Sequence, residues 1–134
     1  MLLFLLLPSA VMFVISFLDI EKQKKVLSIV SLFVLIPAIG LFFVPKPYPI
    51  WGEYLVADNL NTYIFLVSSI VAIGVTLATS TLDKHVSISA KAYARFYRFF
   101  ALFWMGLIVS IMSNNMGLYW IGLETATLST VYMI

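Results

Sequence analysis

Cysteine is absent from the 134-residue chain, and charged side chains make up only 10% of it, against roughly a quarter in ordinary soluble domains. The first absence excludes disulfide frameworks, thiolate nucleophiles, iron–sulfur ligation and Cys-type zinc sites. The second leaves too little polar material to cover a water-facing surface, so a soluble domain is excluded. A strong charge of one sign is lacking as well. The 8 Lys and Arg against 6 Asp and Glu leave a formal +2, which gives no reason to expect a nucleic-acid partner. There is no glycine-rich phosphate loop, serine elbow or paired-carboxylate arrangement, and no internal or inverted repeat is visible. Nothing points to a bound metal or cofactor.

What is present is apolar sequence: 63% of residues are hydrophobic and the mean hydropathy is +1.07. Apolar runs approaching about 20 residues are what a lipid-spanning helix requires. Five candidate spans emerge within a single membrane domain covering 1–134, at approximately 2–18, 26–44, 60–81, 90–113 and 116–134. The expected fold class is therefore all-α, an integral membrane bundle of about five transmembrane helices. Pro37 predicts a kink in the second span. Pro45, Pro47 and Pro49 make the following stretch a stiff surface connection, with Trp51 and Tyr54 as interfacial aromatics. Asp58 precedes the third span and suits the role of its N-cap. Asn114-Asn115 predicts a tight turn between the last two spans.

Charge placement sets the orientation. The first Lys follows the first apolar run rather than preceding it, so the run reads as a retained helix and not as a signal peptide. With the N-terminus outside, the cluster Asp19 to Lys25 and the segment Lys84 to Arg98 both fall on the cytoplasmic side. Lys46 is then the one basic residue of the eight left outside, which fits the positive-inside rule. The expected location is the cell membrane.

One ionisable residue stands alone inside a span. Glu124 lies eight residues into the fifth span, about 12 Å at 1.5 Å per residue, close to the middle of a bilayer. A carboxylate there must face protein or water, pair with a cation, or be held protonated. Its helical neighbours are Trp120, Ile121, Thr127 and Leu128, of which Thr127 alone offers a hydroxyl. Apart from Lys91, Arg95 and Arg98, which snorkel toward the headgroups at the start of the fourth span, no Lys, Arg or His falls within the five spans, so a buried cationic partner is expected from another chain. The preferred reading places Glu124 and Thr127 on an ion or proton path, over a protonated structural glutamate bonded across a helix interface.

Other candidates read more blandly. His85 is a lone histidine in a cytoplasmic connection without a second ligand at metal spacing. Lys84 to Arg98, interleaved with Tyr93, Phe96 and Tyr97, has the composition to bind anionic lipid or a soluble partner, but reads first as an anchor for a helix end. Gly74, Gly106, Gly117 and Gly122, with Ser110 and Ala126, suit close helix packing.

The stretch Tyr97 to Ile134, and within it Ser113-Asn114-Asn115-Met116-Gly117-Leu118-Tyr119-Trp120-Ile121-Gly122-Leu123-Glu124-Thr125-Ala126-Thr127-Leu128-Ser129-Thr130, resembles the antiporter-like proton-translocating subunits. These are shared by respiratory complex I, multi-subunit cation/proton antiporters and membrane-bound hydrogenases, and the string looks most like the hydrogenase-4 and formate-hydrogenlyase branch. Asp58 resembles the acidic residue that begins the corresponding helix in these subunits. The resemblance implies that Glu124 is the glutamate of the fifth helix, which in the family pairs with a lysine two helices later. Family members are longer and built from two five-helix inverted repeats, and this chain matches the leading helices and the first half-site. The expectation is a membrane subunit of an energy-converting respiratory or hydrogenase-type complex, not catalytic alone, moving H⁺ or Na⁺. Its expected partners are lipid and neighbouring membrane subunits, one of them supplying a buried lysine. The competing expectation is a non-conducting structural or assembly subunit. A small independent transporter is disfavoured, because a lone carboxylate without further polar lining makes no substrate site.

Overall fold

The computed structural model describes residues 2–18 and 23–133, apart from the side chains of Gln23 and Lys84. Asp19, Ile20, Glu21 and Lys22, expected to close the first span, lie outside the described residues, as does Ile134. The chain forms α1 (Leu2–Ile15), α2 (Gln23–Leu32), α3 (Leu35–Gly40) with a 3₁₀ turn at Leu41–Phe43, strands β1 (Tyr48–Trp51) and β2 (Leu55–Ala57), α4 (Asn59–Val86), α5 (Ala90–Met112) and α6 (Met116–Met133). The protein is thus mostly helical. Three helical segments are long and apolar enough to cross a membrane, Lys24–Phe43, Asn59–Asp83 and Ala90–Met112, and Leu2–Ile15 is apolar but shorter. The last helix, α6, has 18 residues and is not among those three.

The second apolar segment is broken between α2 and α3, ahead of Pro37. Pro37 has no N–H to return to the Phe33 carbonyl, and its ring crowds that carbonyl. The Phe33 carbonyl instead accepts from the Ile36 N–H at 3.1 Å, a tighter turn that offsets the two helices. Pro37 itself is buried.

The all-helical expectation needs one correction. The proline-rich connection pairs as an antiparallel hairpin, with Tyr48 opposite Ala57 and Pro49 opposite Val56, and an irregularity before Trp51 opposite Leu55. Both strands of a two-stranded sheet are edge strands, the position in which a residue such as Pro49 is tolerated. Gly52 takes φ +54° in the turn, a conformation that favours glycine. The hairpin closes over one end of the bundle. The Tyr54 carbonyl accepts from the Asn114 N–H at 2.8 Å, Asn114 Nδ2 donates to the Glu53 carbonyl at 3.2 Å, and Leu55 bridges to Ser113.

Helix α4 starts where Asp58 Oδ1 accepts the Asn61 N–H at 2.7 Å, the geometry of an N-cap. It runs past Thr81 to Val86, so the polar connection before α5 shortens to Ser87–Ser89. In its polar last turns the Thr79 and Thr81 hydroxyls are satisfied by the carbonyls of Val75 and Leu77, and Asp83 meets a cation from α2. Ser87 ends the helix in the left-handed region at φ 53°.

Helix α5 is the central element. Tyr93, Tyr97, Phe100, Trp104, Ile108 and Met112 are all buried along it, with Trp104 against Phe65 of α4 at 5.8 Å between ring centroids. It packs along α6 on one side and against α1, α2 and α4 on others. Lys24, Asp83 and Arg98 gather at one end of the bundle, where Arg98 bonds to Ser16 just after α1. The hairpin and the Ser113–Asn115 turn lie at the other.

Candidate functional site: a lone carboxylate on an open helix face

The direction of Glu124 is decided by two glycines that do not touch it. Helices α5 and α6 cross where Gly106 meets Gly122. A Cβ built on Gly106 would lie 2.7 Å from the Gly122 carbonyl oxygen and 2.8 Å from the Ala126 nitrogen, and one on Gly122 would lie 2.6 Å from the Ser110 nitrogen. Only glycine permits so close an approach, and small residues at such spacing are how helices pack tightly in lipid. On α6 the buried residues are Gly122, Ala126 and Ser129, one stripe at helical spacing that seats against α5. At about 100° per residue, Glu124 sits about 200° around the helix from Gly122. The seam therefore turns the carboxylate away from α5, onto a face it shares with Trp120, Thr127, Leu128 and Val131, all exposed in the isolated chain.

That face supplies no partner. The Glu124 carboxyl makes no hydrogen bond or ion pair among the described residues; the one ion pair there joins Lys24 and Asp83. The hydroxyls of α6 are otherwise engaged. Thr125 donates to the Ile121 carbonyl at 2.8 Å, Ser129 to Thr125 at 2.6 Å and Thr130 to Thr127 at 2.6 Å. Thr127 Oγ1 lies 3.1 Å from the Leu123 carbonyl oxygen and 3.0 Å from that of Glu124, so its proton is turned to the backbone and not to the carboxyl. Such back-bonding lets a helix rich in Thr and Ser satisfy itself without water. The helix starts at a side-chain cap: Asn115 Oδ1 accepts from the N–H groups of Gly117 at 2.9 Å and Leu118 at 3.3 Å.

A second polar group, not anticipated as a unit, joins α2, α4 and α5. Lys24 Nζ donates to Asp83 Oδ1 at 2.7 Å and to the Ile88 carbonyl, and lies 5.6 Å from the centre of the Tyr93 ring. Tyr93 shares a 2.5 Å hydrogen bond with Ser28, and deeper in the bundle Thr76 Oγ1 donates to Ser31 Oγ at 2.9 Å. Further along α5, the buried Tyr97 hydroxyl and Trp104 Nε1 have no hydrogen-bond partner among the described residues. A sequence signal for the group existed. Ser28 and Ser31 follow Lys24 at four and seven residues, and Thr76 precedes Asp83 by seven, so each set shares a helix face. Asp58 is remote from both groups, at the start of α4 beside the hairpin. His85 is exposed near the end of α4, and no cluster of three or more potential metal ligands occurs among the described residues.

No family model and no solved structure matches the chain. Among curated proteins it is similar to a hydrogenase-4 component F homolog from Methylacidiphilum infernorum (isolate V4), with 29% identity over 87 residues. The match covers 62% of this chain and 18% of that relative, so the chain spans a small part of the relative's length.

Proposed function

We propose that this chain is a multi-pass subunit of a hydrogenase-type, ion-translocating membrane complex, and that Glu124 is one element of its proton path. The observation that carries this reading is the carboxylate held outward on an open face of α6 by the Gly106–Gly122 seam, with no partner from the described residues. An ionised carboxylate at the level of the hydrocarbon costs several kcal/mol unless it is paired or hydrated. A neighbouring subunit that lays a helix bearing a cation, such as a lysine, against Trp120, Thr127 and Val131 would pair it. The similarity to a hydrogenase-4 component F homolog supports membership of such a complex.

The chemistry follows from that pairing. With the cation close, the carboxylate is stabilised and holds no proton; as the cation withdraws, the carboxylate takes a proton from the entry side, and the cation's return releases it toward the exit. Thr127, with its proton turned to the backbone, offers its oxygen as an acceptor beside the path. Electron transfer takes place on other subunits, and this chain supplies no redox group of its own. A non-conducting assembly subunit is the second reading, favoured by the same open face, on which a partner helix would bury Glu124 as a hydrogen-bonded acid.

Replacement of Glu124 by Gln in the assembled complex separates the two, because Gln keeps size and hydrogen bonding and loses the titrating proton. The path reading expects normal assembly with ion translocation per electron lost. Unchanged translocation contradicts it and leaves the assembly reading.

A further inference from the structure

At the end of the bundle remote from the hairpin, a cleft of about 540 Å³ opens between residues 16–18, which follow α1, and the first three turns of α5. Lys91, Arg95 and Arg98 line one wall, following one another at four and three residues and so sharing a helix face. No acidic side chain lines the cleft among the described residues, and the first turn of α5 contains none. The helix alone disfavours this arrangement. Like charges four apart repel, and cations at a helix N-terminus face its positive end. An anion seated between them offsets both costs.

The wall is also built, not merely charged. Arg98 is fixed by Nε to Ser16 Oγ at 3.3 Å and by Nη2 to the Ser16 carbonyl at 3.0 Å, with its guanidinium 3.7 Å over the Phe17 ring. This leaves Nη1 uncommitted among the described residues. Lys91 and Arg95 are exposed and in no ion pair there. Beside Ser16 the other wall is apolar: Phe17 is 59% and Leu18 48% exposed, and beyond the cleft Val14, one turn earlier on α1, is 58% exposed. A small soluble anion would satisfy the cations and leave that apolar strip bare. An anion carrying an acyl chain covers both. The three cations lie within about 12 Å of the start of α5, the depth of a headgroup layer if the helix begins at the membrane surface.

We propose that the cleft holds the phosphate of an anionic phospholipid between Lys91, Arg95 and Arg98, with an acyl chain along Phe17 and Val14. The test uses the full chain in neutral detergent, titrated with phosphatidylglycerol and with phosphatidylcholine and read by native mass spectrometry. Wild type should bind phosphatidylglycerol on the order of tenfold more tightly, and Lys91→Gln/Arg95→Gln should lose that preference. Arg98 is retained because it ties α1 to α5, and Arg95→Gln alone should lose part of the preference should the double variant not fold. Equal affinity of wild type for the two lipids, or a preference that survives the double variant, overturns the proposal. Displacement of phosphatidylglycerol by millimolar inorganic phosphate overturns the lipid assignment in favour of a soluble anion; retention of the lipid supports it. An Asp19→Asn/Glu21→Gln variant that gains the preference where wild type has none identifies the chain's own carboxylates as the occupants, and also overturns it.

Discussion

Glu124 is defined by what surrounds it more than by its own chemistry. Its isolation was legible in the sequence, since no other acidic residue and no Lys, Arg or His lies near it along the chain. Its direction was not, because direction is set by which stripe of α6 seats on α5. Thr127 was legible as the neighbouring hydroxyl, yet the sequence does not reveal that its proton goes to the backbone. The Lys24–Asp83 pair behaves differently, being formed within the chain and partly buried. Asp83→Asn should lower the thermal midpoint of the purified protein by leaving Lys24 without its counter-charge. Lys24→Met with Asp83→Leu should cost less than the sum of the single changes, because no lone charge remains; additive losses would show the two residues to be uncoupled. Tyr93→Phe removes the hydrogen bond to Ser28 and should destabilise by about 0.5–1.5 kcal/mol, read in the same melting experiment. An unchanged midpoint would show that the bond contributes nothing.

At the scale of elements, the α5–α6 pair is the unit that presents the carboxylate. Gly122→Ala places a Cβ 2.6 Å from the Ser110 backbone nitrogen, and a backbone atom cannot swing aside as a flexible side chain does. The helices must separate or rotate, at a cost of about 1–3 kcal/mol. Gly74 is the internal control, since a Cβ there meets nothing within 4 Å. Gly74→Ala should be neutral or stabilising by up to about 1 kcal/mol in a helix interior. Equal melting points for the two variants would remove the seam from the account. The small residues of this seam stood out in the sequence, but their pairing required the two helices in contact. Elsewhere the sequence was informative at helix ends, where proline and capping residues act locally. It missed the hairpin because Pro45, Pro47 and Pro49 exclude helix without specifying strand pairing, and the hairpin's contacts with Ser113 and Asn114 join residues distant in sequence.

At the scale of the whole molecule, the described basic groups other than Lys46 collect at one end and the hairpin closes the other, while large apolar side chains cover much of the flank. On α4, Leu60, Tyr63, Val67, Ile70, Val71 and Leu77 are all more than half exposed, a surface suited to lipid or to neighbouring subunits. The absence of cysteine makes the proposed orientation directly measurable. In an otherwise unmodified chain, Lys91→Cys should react with an impermeant thiol reagent only from the cytoplasmic side, and Lys46→Cys only from the outside. Labelling of both from one side would refute the arrangement. The central claim is that the Glu124 carboxyl gains and loses a proton as the complex turns over. Infrared difference spectroscopy of the assembled complex, wild type against Glu124→Gln, observes that carboxyl directly. The account predicts a carbonyl-stretch signal of a protonated carboxylic acid that appears and vanishes with turnover in wild type and is missing from the variant; identical difference spectra for the two would contradict it.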